Sequence, residues 1–320
     1  MRPARRRQMI KQYQISEGKV AESDAASACI HVYINPDEEE KKHLLMAFSI
    51  DEHTLASALD PDEISRIEFE PNHTAMIFKR PKNYSSKDHF LFKVASFGVF
   101  LFKDHLIVVM TDDIQVFSGK LFSRVTSLLD VTLRLIGRTI THFMEHLKVI
   151  NMITDSLEQK INTSMENKYL LNLFTLEKSL VYYLSAINSN AMLIEKIKNN
   201  AAKLGMTKDN ADLLDDVIIE NFQCIKQAEI YSNILASMMD ARASIVGNNL
   251  NMLMKTLNII TIGIMVPTLV VSIFSMNVAL PIGQGHPVSF WVIIALAIGS
   301  IFLFLWFWNK KMGHYTTNRQ

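Results

Sequence analysis

The spacing of apolar and polar residues changes twice along this 320-residue chain. In the first third the two kinds of residue alternate over short runs, as they do in half-buried β-strands. This alternation predicts strands near 28–34, 66–70 and 74–79, and the apolar run at 90–102 with the segment 105–110 after a tight turn predicts two more. We therefore expect a mixed α/β domain that covers roughly residues 25–118.

The segments around these strands carry other local signals. A helix cap at Ser49 or Asp51 and a stop at Asp60-Pro61 predict one short helix between them. Residues 1–27 are polar without a clear period and are predicted to form a loose lead-in. Residues 35–42 begin with Asn-Pro and continue into a run of charges, which predicts a solvated turn.

The middle of the chain follows helical spacing instead. No proline occurs from residue 120 to residue 266, so long helices are favoured over strands. We predict helices near 121–163, 167–200 and 209–275, with a break at Gly205. The last helix would be about 100 Å long at ~1.5 Å per residue. A helix of that length predicts a stalk that lies partly in water and partly in lipid.

The end of the chain contains two apolar spans. Residues 257–275 and 290–308 are nineteen residues each, and no Lys, Arg, Asp or Glu occurs from Thr256 to Trp308. Each span can cross about 30 Å of hydrocarbon. The short turn at 276–289 contains Pro and Gly, so both chain ends lie on one side. Lysines flank the two spans on that side, at 255 and at 310–311, and the positive-inside rule makes it cytoplasmic.

The first span carries polar residues at a regular spacing, which the second span lacks. Steps of three and four residues mark one face of a helix that packs against copies of itself. Because lipid cannot satisfy polar groups, this face must turn toward protein or water. We call it the polar seam, and interpret it as the wall of an ion pore built by several copies. The seam consists of Asn251, Met254, Asn258, Thr261, Met265, Thr268, Ser272 and Ser275.

The same steps can be followed backward along the stalk. They reach Asp240, Asp216 and Asp212 through mostly polar positions. One interpretation is a wet funnel that continues the pore. The other is that the register drifts over this distance and these positions are an ordinary solvated face.

Composition excludes several classes of function. The formal net charge is +1, so no nucleic-acid partner is indicated. Cys29 and Cys224 form no CxxC pair, which argues against a disulfide framework. The sequence has no Gly-rich phosphate loop and no evident nucleophile–base pair, so neither a pump driven by ATP nor an enzyme is predicted. His142 and His146 are spaced to hold a metal ion, or they form part of a polar helix face.

Several of these features together resemble the CorA family of divalent-cation channels. The resemblance rests on the long helix, the Pro-Thr-Leu-Val run at 267–270, Ser-Met-Asn at 275–277, the second span and the basic tail. It extends over essentially the whole chain. The family signature is Gly-Met-Asn, so Ser275 is a departure. The outer loop also has no carboxylate, where many members carry an acidic residue.

The resemblance implies a homopentamer whose first membrane helix lines the pore. Asn277, with Met276 and Ser275, would form a ring at the outer mouth that binds a hydrated cation. Asn251 would lie at the cytoplasmic pore end and Asp240 in the acidic funnel. Asp216 or its neighbour Asp215 would help to bind a regulatory Mg²⁺ between subunits. Apolar constrictions are implied at Met254, Leu257 and Met265.

The predicted architecture is therefore an α/β cytoplasmic domain, a long helical stalk and a two-helix transmembrane hairpin, assembled as a CorA-like funnel. The predicted segments are the N-terminal cytoplasmic α/β domain (1–118), the long cytoplasmic helices (119–208) and the stalk helix that continues into the pore-lining helix (209–275). They continue with the outer loop (276–289), the second transmembrane helix (290–308) and the basic cytoplasmic tail (309–320). We predict a multi-pass protein of the inner or plasma membrane that conducts divalent cations. Mg²⁺ is the preferred ion, with Co²⁺ or Ni²⁺ as further cargo. The alternatives are a zinc transporter of the same fold and a membrane-tethered metal sensor or scaffold without flux.

Overall fold

A computed structural model describes residues 10–23, 28–85, 89–163, 167–276 and 287–317. The chain divides into two compact units, Met1–Met239 and Asp240–Gln320. The strands are β1 Ile10–Ser16, β2 Lys19–Glu22, β3 Ile30–Ile34, β4 Arg66–Phe69, β5 Thr74–Pro81, β6 Val94–Leu101 and β7 Leu106–Met110. The helices are α1 Glu38–Phe48, α2 Glu52–Leu59, α3 Leu128–Thr163, α4 Asn167–Asn199, α5 Lys208–Phe274 and α6 Pro287–Thr317.

The seven strands form one sheet in the order β2-β1-β3-β7-β6-β5-β4. Only β3 and β7 pair in parallel among these strands. Side chains on one face of the sheet join a large core with α3 and α4, and those on the other face join a smaller core with α1 and α2. Gly98 of β6 allows α2 to come close, because a Cβ there would lie 2.4 Å from Cβ of Ala58. The strands predicted from alternation are confirmed.

The predicted loose lead-in is wrong for the residues that the structure describes. Strands β1 and β2 form a hairpin, and β1 extends the sheet by pairing with β3. Glu17 and Gly18 both have positive φ, 51° and 73°, as a tight two-residue hairpin turn requires. The hairpin lies at the edge of the sheet and is only half-buried, so its sequence is mostly polar.

The predicted charged turn at 35–42 is also wrong, because α1 begins inside it. The Asp37 carboxylate accepts hydrogen bonds from the backbone N–H groups of Glu39 and Glu40, and Glu40 Oε2 accepts one from Asp37 N at 3.0 Å. This reciprocal pair is a capping box, which begins a helix. The three glutamates then lie in the first helical turn, where the helix dipole favours negative charge.

Three long helices follow the sheet. Helix α3 begins at Leu128 rather than 121, because Ser127 caps it by accepting a hydrogen bond from Asp130 N at 3.1 Å. Within the first unit, α5 buries one face at three- and four-residue steps. Asn221 on this face donates a hydrogen bond from Nδ2 to the Ile187 carbonyl of α4 at 3.5 Å. The buried apolar positions of this face are Leu214, Val217, Cys224, Ala228 and Leu235.

Candidate functional site

Two of the described helices are long and apolar enough to cross a membrane. The spans lie in Lys208–Phe274 and Val288–Lys310. Each matches a span predicted from the sequence. Within the second unit, three properties of these helices can be compared: which face is covered, which face is polar, and which faces are exposed and apolar.

Helix α6 covers one face of the first span. Every residue that is at least half-buried between 251 and 276 lies on this face: Ile259, Gly263, Val266, Pro267, Val270 and Phe274. The facing positions of α6 repeat in the same way: Ser289, Ile293, Ala297, Ser300, Ile301, Phe304 and Trp308. A Cβ on Gly263 would lie 3.8 Å from Cε1 of Phe304, which is an ordinary van der Waals distance. Gly263 therefore lies against the Phe304 ring of α6.

The polar seam lies on the other side of the helix. At about 100° per residue, its mean direction is about 170° from the centre of the face that α6 covers. All eight residues of the seam are exposed. The sequence could identify the seam but not the face that α6 would occupy. The two observations are independent, and together they separate a polar side of the first span from a side that packs on α6.

Exposed apolar side chains occupy the two flanks between these faces. On one flank, Ile260 and Ile264 are 55% and 63% exposed. On the opposite flank, Leu269 and Ile273 are 64% and 48% exposed. A helix with a polar inner side, a covered outer side and two apolar flanks is suited to a ring of identical copies, because each flank can pack on a neighbour.

Three of the four hydroxyl groups of the seam are oriented as acceptors. Thr261 Oγ1 donates to the Leu257 carbonyl at 2.9 Å, and Thr268 Oγ1 donates to the Ile264 carbonyl at 2.7 Å. Ser275 Oγ donates to the Ser272 carbonyl at 2.8 Å. Since each hydroxyl hydrogen is used within the helix, the lone pairs remain available. The waters around a bound cation point their hydrogens outward, so such a surface favours hydrated cations over anions.

The predicted mouth residues are only partly described. Ser275 and Met276 end the first span and are exposed. Asn277 lies outside the described residues, as does most of the predicted outer loop. Asn251, Met254 and Leu257 lie on the exposed part of α5 in the second unit.

The predicted acidic positions lie on exposed faces of α5. Asp215 Oδ1 forms an ion pair with Lys198 Nζ at 2.8 Å, and both side chains are more than half exposed. Asp216 lies one turn before Glu220, a carboxylate that the sequence analysis missed although its i,i+4 spacing was readable. Burial and the charge of Asp216 raise the pKa of Glu220. Asp240, the first residue of the second unit, is exposed.

No three metal-ligating side chains come together within the described ranges of a single chain. A metal ion bound at Asp215 or Asp216 would therefore need further ligands, from another copy or from water.

The histidine pair of α3 lies in an aromatic cluster rather than on a solvated face. The rings of His142 and His146 are 4.5 Å apart, and His146 Nδ1 is 2.7 Å from the Tyr183 hydroxyl. Phe92 meets the His146 ring edge-to-face. Burial, together with the neighbouring His142, lowers the pKa of His146 to about 4. The interpretation as a polar helix face is wrong, and the pair belongs to no three-ligand group in the described part of the chain.

Because of this burial, we expect the first unit to lose stability as the pH falls. The pKa of His146 is about 4 in the folded chain and 6.5 ordinarily, so the unfolded chain takes up the proton first. Stability is then complete above about pH 6.5 and falls by up to about 3 kcal/mol toward pH 4. Thermal unfolding of the whole protein in detergent measures this slope. His146→Asn should flatten the slope, whereas exposed His43→Asn should leave it unchanged; an equal slope in both variants would contradict the assignment.

Comparisons of the sequence with known proteins found a family and a relative. Residues 27–311 match the family described as CorA-like Mg²⁺ transporter protein. The chain is 24% identical over 292 residues to the cobalt/magnesium transport protein CorA of Methanocaldococcus jannaschii, covering 87% of this chain and 88% of that protein.

Solved structures show the same fold. The complete CorA magnesium transporter of Methanocaldococcus jannaschii superposes with a TM-score of 0.79 at 21% identity, covering 93% of this chain and 96% of that one. Full-length CmaX gives a TM-score of 0.70 at 14% identity, covering 95% and 98%. The ZntB cytoplasmic domain from Vibrio parahaemolyticus RIMD 2210633 gives 0.56 at 13% identity, covering 75% and 99%.

Proposed function

Because the chain belongs to the family of CorA-like Mg²⁺ transporter proteins, it is a membrane transporter of divalent cations, and we propose that it forms a homo-oligomeric channel selective for Mg²⁺. The observation that carries the proposal is the position of the polar seam, opposite the face that α6 covers. A helix that only anchors a domain has no need of such a face. Copies of α5 around an axis would turn their seams inward and keep α6 outside, toward lipid.

We assign the lining of this pore to the predicted residues. Asn258, Thr261, Thr268 and Ser272 offer oxygen acceptors to the waters of a hydrated cation. Mg²⁺ gives up its waters reluctantly, which suits a lining that holds the hydrated ion. Met254, Leu257 and Met265 form narrow apolar rings, which can close a pore by dewetting. Asn251 marks the inner end.

The outer mouth is assigned to Ser275, Met276 and Asn277. Amide oxygens from several copies of Asn277 would form the first ring that an incoming ion meets. The Ser275 hydroxyl hydrogen is turned to the Ser272 carbonyl at 2.8 Å, so its oxygen adds an acceptor at this ring. Because the tripeptide departs from Gly-Met-Asn, zinc transport stays the second candidate function.

The assembly and its orientation belong to the same proposal. A homopentamer is the arrangement that the family resemblance implies, and the two apolar flanks of α5 give each copy two different neighbours. Both termini would be cytoplasmic in the cell membrane. Lys310 supports this orientation, because its Nζ lies 5.2 Å from the centre of the Trp306 ring. Aromatic and basic residues are enriched at the membrane surface, and basic ones at its cytoplasmic side.

Regulation is assigned to the carboxylates of the stalk. Cytoplasmic Mg²⁺ bound at Asp215 and Asp216 between neighbouring subunits would hold the subunits together and the pore closed. Loss of the ion would let the subunits separate. Asp240 would line the inner funnel and attract cations toward it.

Flux into proteoliposomes tests the proposal. We expect the purified protein to pass Mg²⁺, with slower passage of Co²⁺ and Zn²⁺, in the presence or absence of a pH gradient. Asn277→Ala should reduce Mg²⁺ flux and the preference for Mg²⁺ over Zn²⁺ by about tenfold, the value of one charge-assisted hydrogen bond. The matched control is Asn248→Ala, which changes an exposed asparagine of α5 outside the seam.

Three outcomes would contradict parts of the proposal. Faster passage of Zn²⁺ than of Mg²⁺ would favour the zinc transporter. Absence of any flux from a folded oligomer would favour the tethered sensor or scaffold. An unchanged ion preference in Asn277→Ala would remove the mouth assignment but leave the pore itself in place.

A further inference from the structure

A large cavity lies in the first unit, between α4 and one end of strands β5 and β6. Its volume is about 980 Å³. This is at the upper end of the range typical of small-molecule sites. Four lysines line it from different parts of the chain: Lys79 and Lys82 from β5 and the segment after it, Lys93 from just before β6, and Lys178 from α4. Transport through the membrane helices gives this cavity no role.

Lys79 is the buried member of the group, with only 5% of the residue exposed. Its Nζ donates to the Pro61 carbonyl at 2.7 Å and to Ser96 Oγ at 3.0 Å. Both partners are neutral, and within the described ranges no carboxylate forms an ion pair with this ammonium group. Burial lowers the pKa of Lys79 and outweighs the nearby carboxylates of Asp60, Asp62 and Glu63, which act to raise it. A buried charge without a counter-charge is costly, so the site has a deficit of negative charge.

The surrounding charges leave this deficit in place. Lys82 pairs with Asp112 at 3.3 Å, but that carboxylate is shared with buried Arg80 at 2.7 Å. Among the described residues, neither Lys93 nor Lys178 forms an ion pair with a carboxylate. Asp62 and Glu63 also line the cavity, and Glu63 is held by Arg66 at 2.6 Å. The lining thus holds four lysines and two carboxylates, one of them already paired, and Asp60 is a third carboxylate close to Lys79.

The rest of the wall is apolar and includes a flat ring. Tyr182 and Met192 of α4 both line the cavity and are 49% and 52% exposed. Lys178 Nζ lies 5.8 Å from the centre of the Tyr182 ring, so a cation and an aromatic surface are adjacent. An exposed aromatic ring next to basic groups can stack on the base of a nucleotide while the lysines hold its phosphates.

We propose that this cavity binds a nucleoside polyphosphate, with its phosphates on Lys79, Lys93 and Lys178 and its base on Tyr182. The ligand neutralises the buried ammonium group of Lys79, which has no anionic partner of its own. The chain has no Gly-rich phosphate loop, so the role is binding and not hydrolysis. The inference is independent of the proposed pore, because all of its residues lie in the first unit.

Titration of the whole protein in detergent with N-methylanthraniloyl-ATP, in EDTA, tests this inference. We expect saturable binding that ATP competes away and that adenosine does not. The double variant Lys93→Ala/Lys178→Ala should weaken binding by at least about tenfold, since each lysine donates a charge-assisted hydrogen bond. Tyr182→Ala should weaken it as well. These variants change exposed side chains and avoid the folding risk of altering Lys79.

Two matched controls lie outside the cavity. Lys148→Ala removes an exposed lysine of α3, and Phe174→Ala removes an exposed ring of α4. Both should bind the probe as the unaltered chain does. Absence of saturable binding, or equal binding by the double variant and Lys148→Ala, would overturn the inference. Competition by inorganic triphosphate as strong as that by ATP, with no effect of Tyr182→Ala, would overturn the nucleoside part of it.

Discussion

Replacing Thr261 and Thr268 together by leucine is expected to abolish most Mg²⁺ flux. Both hydroxyls donate to carbonyls of their own helix, at 2.9 Å and 2.7 Å, and offer their lone pairs outward. Leucine removes these acceptors and adds an apolar ring at two levels of the pore, which favours dewetting. Each acceptor lost from the water shell of a cation is worth about tenfold or more in rate. Flux into proteoliposomes under an inward Mg²⁺ gradient measures the effect.

Thr256→Leu is the matched control for this experiment. Its hydroxyl also donates to a carbonyl four residues earlier, Met252 O, at 2.9 Å. The change of side chain and the lost hydrogen bond are therefore the same, but Thr256 does not belong to the polar seam. We expect near-normal flux from this control. An equal loss of flux in the control would show that the threonines act through helix stability. Normal flux in the double variant would place the conducting path elsewhere.

The membrane helices and the long helical middle could be predicted because their signals are sustained. A charge-free run from Thr256 to Trp308 and a proline-free run of more than a hundred residues leave few alternatives. Element type is most reliable where a pattern persists over many turns. The polar seam could be predicted for the same reason, because its eight residues follow alternating steps of three and four residues.

Two segments of the first unit that were predicted to be irregular form regular elements, each for a different reason. At Asp37, a capping interaction turned a run of five charged residues into the first turns of a helix. The apolar Leu44, which α1 buries completely, lies beyond that run. The hairpin of β1 and β2 needed β3 as a partner, which no local pattern indicates. The first segment is helical because of this local cap, whereas the second forms strands because of its tertiary pairing.

The candidate sites also differ in how much of each could be predicted from the sequence. The seam follows from spacing on one helix, but the face covered by α6 depends on how two helices pack. The lysines of the cavity at α4 come from segments as far apart as residues 79 and 178, so only the fold brings them together. The roles of Asp215 and Asp216 came from resemblance, and they remain predictions.

Neutralising Asp216 is expected to remove most of the proposed closure by Mg²⁺. Asp216 is exposed and forms no ion pair with a basic side chain among the described residues, so its carboxylate is available as a ligand. Asp215 already shares its charge with Lys198 at 2.8 Å. Asp216→Asn should therefore raise the internal Mg²⁺ concentration that halves the flux by at least about tenfold, and Asp215→Asn by less. Proteoliposomes loaded with graded Mg²⁺ measure both values.

Removing the partner of Asp215 should shift the Mg²⁺ concentration that halves the flux in the opposite direction. Lys198→Met removes the cation that competes for this carboxylate, so closure should require less Mg²⁺ than in the unaltered chain. Asp209→Asn, which neutralises an exposed carboxylate in the first turn of α5, is the matched control and should change nothing. A metal site between subunits requires shifts in both directions, whereas general charge screening would make all three aspartate variants behave alike. If Asp216→Asn closes at the same Mg²⁺ concentration as Asp209→Asn, the regulatory site does not include this part of the stalk.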